Sequence, residues 1–439
     1  MTVCGCSLGK AGVVMQKFWG KTISVSEAVE LTVKTLKEFI ELDAIDVPID
    51  RSIKMISSEI IKCPIDLPPY NNSAVDGYAV RSIDTIGATQ LNPVKLKVKC
   101  SMDTGDPPDK CGILKDNEAV EVGTGAPLPN GADAVVMYED SLRVGDYVEV
   151  FKQTAPFDNV NRAGDDFKAG EEVISKGTQL TAFHIGLLAS LGLKNVRVYR
   201  PLKAFILPTG SELVEPGEPL QLGKKYSSTD YIIASLLKEI GFIEVTKLSP
   251  IPDHVEEVKK VLLNELEKAD LAITIGGSSI GNRDVVYRVI DSEGLWVFRG
   301  VALRPGRTTS LGLINEKPVF VLSGNPVAAW AGFTAIIKPS IYRLYCSSPP
   351  IEPSIVAIVS ERIVNVAGYR SYVRVVLNSN GFKYFVKPYM IHGSSYLSSI
   401  IRAHGYVVIP EEVEGYDVGE EVVVQLFTTR PLHFTQSIN

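Results

Sequence analysis

The sequence predicts a multidomain α/β plus β protein, with a central α/β domain built on a mostly parallel sheet. Three features point to it. Lys203–Leu213 (KAFILPTGSEL), Leu271–Asp284 (LAITIGGSSIGNRD) and Pro318–Trp330 (PVFVLSGNPVAAW) each run from an apolar β-type stretch through a glycine turn into a helix-like pattern. Short apolar runs that end this way mark the carboxyl edge of a buried parallel sheet. Residues 64–150 form a chain of short β-type segments broken by Pro, Gly and Asp, which reads as a β domain inserted near the N-terminus. A Ser-Ser-Pro-Pro-Ile-Glu-Pro linker at 347–353 precedes a second, C-terminal set of β-type runs.

Taken in order, the first 22 or so residues read as an N-terminal extension lacking the charged and apolar regions of a signal peptide. A helix-like stretch follows, with apolar Ala28, Leu31, Leu36, Phe39 and Ile40 and with Ser24 or Ser26 as its N-cap. The β domain contains VKLKVKC, EAVEVG, ADAVVMYED and DYVEVF, which alternate with period two in places. Residues 158–193 return to a mixed pattern ending in a helix at IGLLASL, closed by Gly192. In the α/β segment, Ile232, Ile233, Leu236, Leu237 and Ile240 share one helical face, and Val255, Val258, Val261, Leu262 and Leu266 share another. Beyond the linker, YVRVVL, YFVKPY, GYVVIP and EVVVQLF read as strands.

Composition narrows the function classes. The chain has 439 residues, 45 basic against 51 acidic, for a net charge of −6. That balance argues against a nucleic-acid surface, so an anionic ligand has to be held by local features. No apolar run approaches the roughly 20 residues of a membrane span. Six cysteines include no CxxC pair and there are only five histidines, which gives zinc little support and makes a reducing cytoplasm the default setting. Cys4 and Cys6 can bind a soft metal, but they read more simply as thiols in the N-terminal extension.

In open α/β sheets, ligands bind in the crevice beyond the strand ends, where backbone N–H groups and helix N-termini hold anions. Three acids stand there: Glu212 behind Thr209-Gly210-Ser211, Asp253 before the Val255 helix, and Asp284 after the second turn. Each alone fits an N-cap or a solvated charge. Together they suit Mg²⁺, which takes carboxylate, water and ligand phosphate oxygens, and hence phosphate-ester or pyrophosphate chemistry. Arg304 and Arg307 flank a Pro305-Gly306 turn, two guanidinium forks suited to an oxyanion or phosphate. Ser323-Gly324-Asn325-Pro326 aims backbone amides into the crevice, with Pro326 opening a helix. GxGxxG and Walker A loops are absent, which disfavours NAD and P-loop nucleotide chemistry.

The order and spacing of Asn72-Ser73-Ala74-Val75-Asp76-Gly77-Tyr78-Ala79, Gly123-Thr124-Gly125-Ala126-Pro127, Gly131-Ala132-Asp133-Ala134-Val135-Val136 and the three sheet-edge turns resemble the molybdopterin molybdenumtransferase (MoeA and gephyrin E-domain) family. The resemblance extends from about Ser24 to a C-terminal GSSYLSSIIRAHGYVVIP stretch. It implies a transferase that cleaves the pyrophosphate of adenylylated molybdopterin, releases AMP and inserts molybdate, assisted by Mg²⁺. It also implies a homodimer of four-domain subunits, with the cleft completed by the partner's β domain. A molybdopterin adenylyltransferase is an implied partner, and the α/β domain is expected to share that enzyme's fold. The domains so implied are 23–62 with 151–200 (mixed linker domain), 63–150 (β), 201–346 (α/β, molybdopterin-binding) and 352–439 (small, β-barrel-like).

Carried over by position, the resemblance assigns catalytic roles to Asp76, Thr124, Glu212, Asp253 and Asp284, with the last three as metal ligands. The substrate-binding set is Gly210, Ser211, Gly276, Gly277, Ser279, Arg304, Pro305, Arg307, Ser323, Gly324 and Asn325. The chain departs from the family pattern in several turns. Arg304-Pro305-Gly306-Arg307-Thr308 stands for Lys-Pro-Gly-Lys-Pro, Ser323 replaces a proline, and Ser227-Ser228-Thr229 replaces Asp-Ser/Thr-Asn. The second turn reads Gly276-Gly277-Ser278-Ser279-Ile280-Gly281. Charge at the oxyanion turn is kept, and tungstate is as suitable an anion as molybdate. Two other readings fit the same residues: an adenylyltransferase of this fold, and a non-enzymatic molybdopterin carrier or scaffold.

Overall fold

The computed structural model describes residues 22–276, 284–389 and 393–427. They fall into two compact units: residues 47–52 and 57–196 in one, and residues 22–46, 53–56 and 197 onward in the other.

The first unit holds a six-stranded sheet in the order Ala134–Met137, Gly77–Val80, Glu118–Val122, Val94–Met102, Tyr147–Val150, Ser141–Val144. Side chains alternate between faces along each strand. Tyr78, Val80 and Val136 therefore join one buried cluster, while Ala79 and Val135 join another on the opposite face. Cys100 and Cys111 are joined as a disulfide, tying the long strand to the loop after it. The mixed part pairs Ile61–Lys62 antiparallel with Glu172–Ile174. Its helix, Ala182–Ser190, starts at a reciprocal cap between Thr181 and His184.

The second unit contains the expected α/β domain. Its strands are β1 (Leu202–Pro208), β2 (Ile243–Lys247), β3 (Leu271–Ile275), β4 (Gly294–Arg299), β5 (Ser310–Ile314) and β6 (Lys317–Leu322). The sheet order is β2-β1-β3-β6-β5-β4, parallel from β2 through β6 and antiparallel beyond. The three strands whose turns stood out in the sequence, β1, β3 and β6, are therefore adjacent and parallel. The helices are α1 (Thr229–Ile240), α2 (Val255–Leu266), α3 (Val285–Glu293) and α4 (Pro326–Gly332). α1 and α4 cover one face through Ile233, Leu237, Val327 and Trp330, and α2 and α3 cover the other through Val258, Leu262, Val286 and Ile290. Each such fully buried side chain contributes about 1.5–3 kcal/mol.

The N-terminal helix Val25–Phe39, capped by Ser24, lays Val25, Ala28 and Leu36 into the α1/α4 core. Its Glu30 forms a two-pronged ion pair with Arg343 at 2.7 and 2.8 Å. Beyond the linker, five strands close on themselves as a small barrel: Ser354–Val359, Tyr384–Pro388, Arg370–Ser379, Gly405–Ile409 and Glu421–Leu426. Leu303–Arg304 adds to this barrel beside Arg370–Ser371, which fixes one end of the arginine turn. No helix among the described residues is long and apolar enough to cross a membrane.

Candidate active site

The ends of β1, β3 and β6 open into a cavity of about 550 Å³, walled by Thr209 and Gly210, by Ile275 and Gly276, and by Ser323–Pro326. The three ends are locked together: Thr209 N–H donates to Ile275 O at 2.8 Å, and Gly276 N–H to Leu322 O at 3.2 Å. Gly276 has φ +105°, and a Cβ there would lie 2.2 Å from the Thr209 carbonyl oxygen, so only glycine fits. The Thr229 hydroxyl donates to Gly324 O at 2.8 Å, holding the start of α1 against the third turn.

The acids of this domain differ sharply. Glu212 lines the cavity, and its Oε1 is 3.0 Å from Lys225 Nζ, which also lines it. Burial pushes its carboxyl up, but its own backbone N–H and Lys225 outweigh that and hold it below the usual range. Asp253 is an exposed wall residue that accepts from Ser211 N–H at 3.2 Å, while Ser211 Oγ accepts from Asp253 N–H at 3.1 Å. Asp284 is buried and caps α3, with Oδ1 accepting from the N–H groups of Val286 and Tyr287 at 3.1 Å each. Its Oδ2 is buried without a partner among the described residues. Burial pushes this carboxyl up to about 7, the two N–H groups oppose the shift, and the charge of Asp253 adds to it. Among the described residues, no three His, Cys, Asp or Glu side chains gather as a ready metal cage.

A second cavity of about 450 Å³ is lined by Leu303–Thr308, Tyr369 and Ser394 among others. Thr308, Ser323 and Asn325 line both cavities. Arg304 and Arg307 are exposed on its wall, and neither side chain pairs with any described residue. Gly306 has φ +116°, and a Cβ there would come within 3.1 Å of Ala328 O, which keeps the turn tight against α4. Asn325 Nδ2 donates to Ser394 Oγ at 3.2 Å, and Val327 N–H to Ser394 O at 3.1 Å, bringing the segment after residue 392 to the site.

In the other unit, Asp76 Oδ1 accepts from Thr124 N–H at 2.6 Å and from Thr124 Oγ1 at 2.9 Å. Both bonds hold its carboxyl below the usual range, so it is ionised at neutral pH.

Family models match the chain in order: the MoeA N-terminal region (domain I and II) over 23–192, a "Probable molybdopterin binding domain" over 205–343, and the MoeA C-terminal region (domain IV) over 356–427. The chain belongs to the MoeA family. A putative molybdopterin biosynthesis protein of Methanocaldococcus jannaschii is 37% identical over 87% of this chain and 92% of its own length. The molybdopterin molybdenumtransferase of Staphylococcus aureus (strain COL) is 31% identical over 92% of this chain and 95% of its own. The crystal structure of the molybdopterin biosynthesis MoeA protein of Pyrococcus horikoshii OT3 superposes with TM-score 0.78 at 30% identity, covering 93% of this chain and all of that one.

Within this MoeA chain, the residues singled out in the sequence divide as follows. Gly210, Glu212, Asp253, Gly276, Ser323, Gly324 and Asn325 meet at the first cavity, with Ser211 bonded to Asp253 beside it. Arg304, Pro305 and Arg307 form the second. Asp284 lines neither, and Asp76 and Thr124 belong to the other unit. Gly277 and Ser279 lie outside the described residues. Sequence reasoning missed Lys225, Thr308 and Ser394. A short parallel pairing of Leu213–Val214 with Lys225–Tyr226 delivers Lys225, and two-residue strands leave no periodic signal. Ser394 stands in the GSSYLSSIIRAHGYVVIP stretch, whose hydroxyls were the available clue.

Proposed function

We propose that this chain is a molybdopterin molybdenumtransferase of molybdenum cofactor biosynthesis, which takes adenylylated molybdopterin, cleaves its pyrophosphate bond with release of AMP, and inserts molybdate or tungstate. The observation that carries the reading is the pair of adjoining cavities, one acid-walled and one arginine-walled, with Thr308, Ser323 and Asn325 as their common wall. The transfer needs a pyrophosphate and a tetrahedral oxyanion side by side. The Lys225 ammonium on the wall of the first cavity suits the pyrophosphate, and two guanidinium groups without a partner among the described residues suit the oxyanion.

The acids fit a cation brought with the substrate. Asp284 Oδ2 is a buried oxygen with no partner among the described residues, and the charge of Asp253 acts on this carboxyl. One or two carboxylates plus substrate phosphates is the donor set Mg²⁺ takes. Asp253 and Asp284 would hold it, and Glu212 would join them when Lys225 turns to the substrate phosphate. Its chemistry there is neutralisation of charge on the pyrophosphate. The remaining work falls to the chain itself: the turns orient the phosphates, and Arg304 and Arg307 hold the oxyanion.

The same reading makes the protein a homodimer in which Asp76 and Thr124 act at the partner's cavity, and it makes a molybdopterin adenylyltransferase the supplier of substrate. It divides the chain into 23–62 with 151–200, 63–150, 201–346 and 352–439; the pairing of Ile61–Lys62 with Glu172–Ile174 supports the first of these. The test is to give purified protein adenylylated molybdopterin, Mg²⁺ and molybdate or tungstate, and to follow AMP. Oxyanion-dependent AMP release is expected. Binding without AMP would favour the carrier reading, and ATP consumption would favour the adenylyltransferase.

A further inference from the structure

Arg304 and Arg307 make no side-chain contact with a described residue that sets their direction, so the backbone of residues 304–308 sets it. One end of that turn is fixed by the pairing of Leu303–Arg304 with Arg370–Ser371. The other end is held by a side chain from the acidic side of the site. The Tyr287 hydroxyl lies 3.1 Å from the Thr308 carbonyl oxygen and 2.7 Å from Ser310 Oγ. Ser310 Oγ is itself 3.0 Å from Thr308 O and accepts from Gly300 N–H at 3.0 Å. Two hydroxyls thus converge on the carbonyl of Thr308, a residue that lines both cavities.

The ring of Tyr287 is fixed in turn. It packs on Trp296 with centroids 4.8 Å apart, and the Arg299 guanidinium lies over it at 4.8 Å. Asp291 holds both neighbours, accepting from Trp296 Nε1 at 2.7 Å and from Arg299 at 3.3 Å. At its other end, Tyr287 donates its backbone N–H to Asp284 Oδ1 at 3.1 Å. One residue therefore touches the buried acid through its backbone and the arginine turn through its hydroxyl.

We propose that Tyr287 is a positioning residue for the oxyanion: it sets the Arg304–Thr308 turn against the acidic side of the site. This rests on the reading that the arginine cavity takes molybdate or tungstate. The side chain lies behind the turn, so its loss should change oxyanion affinity and leave the chemical step and the pterin nucleotide alone.

The experiment measures AMP release by full-length enzyme while molybdate and adenylylated molybdopterin are varied in turn. Tyr287→Phe keeps the ring stack and removes one hydroxyl; it should raise the KM for molybdate about tenfold, with kcat and the nucleotide KM within about twofold. Ser310→Ala should shift the molybdate KM in the same direction by less, and it decides the question if Tyr287→Phe is recovered unfolded. A purely structural role would lower the melting temperature and the active fraction with both KM values unchanged, and that result overturns the proposal. Arg307→Ala separates the two readings. If it raises the molybdate KM and neither hydroxyl variant does, the positioning role fails alone. If it does not, the oxyanion reading of the cavity fails and this proposal falls with it.

Discussion

In the β domain, Asp76 stands exposed with both a backbone N–H and a hydroxyl of Thr124 on one oxygen. In the α/β domain, Asp284 is buried, with two N–H groups on Oδ1 and no described residue bonded to Oδ2. Each accepts two hydrogen bonds, yet one carboxyl sits below the usual range and the other is pushed up to about 7. The difference is burial: two bonds suffice for a carboxylate in water but not for one removed from it. Asp76 is therefore a fixed negative charge, whereas Asp284 is a group that takes up a proton or a cation.

The strongest way to break this contrast is to remove the cation. Like charges about 4 Å apart cost of order 4 kcal/mol at an effective dielectric near 20, so Asp253, Asp284 and a pyrophosphate should not work together uncompensated. Excess chelator should abolish AMP release, and added Mg²⁺ should restore it. Undiminished release in chelator would remove the metal from the reading and leave Lys225 and a protonated Asp284 as the compensating groups.

Asp76→Asn tests the other side of the comparison. Asparagine keeps the oxygen that accepts from Thr124 and loses only the charge, so the fold should persist. Turnover should fall by roughly two orders of magnitude or more if the charge acts in the transition state. Nucleotide binding should change much less, because the glycine turns at 210, 276 and 324 are untouched. Wild-type AMP release by this variant would reduce Asp76 to a turn residue before Gly77.

The comparison also shows what could be read in advance. β1, β3 and β6 were legible because each is an apolar run cut off by a glycine turn, and their adjacency followed from the crevice such turns imply. The N-terminal helix was legible from its apolar residues, Ala28 and Leu36 among them, but its packing partner, the α1/α4 core, was not, since an apolar pattern never names what covers it. Asp284 was legible as an acid at the sheet edge. Its burial depends on α3 packing against α2, β4 and β5, which is long-range information. Lys225 escaped for a similar reason: its partner Glu212 lies across a two-residue pairing whose register nothing local dictates.

The smallest expected effect, and the sharpest for Asp284, is on stability. An unfolded aspartate titrates near 3.9, while the folded Asp284 titrates at about 7. Below about pH 4 both states carry the proton, and the group contributes fully to stability. As pH rises from about 4 to about 7 the unfolded chain releases the proton while the folded protein keeps it, so stability falls, and above about 7 the loss is complete. Asp284→Asn keeps the cap on α3 through its side-chain oxygen but cannot titrate. Melting temperatures measured from pH 4 to pH 8 should therefore fall more steeply for the wild type than for the variant, with the variant the more stable at pH 8. Saturating Mg²⁺ at pH 8 should raise the wild-type midpoint and leave the variant's nearly unmoved, because a ligand of the folded state stabilises it only where it binds. Parallel pH profiles for the two proteins would mean that Asp284 is ionised in the fold like Asp76, and that its second oxygen has a partner after all.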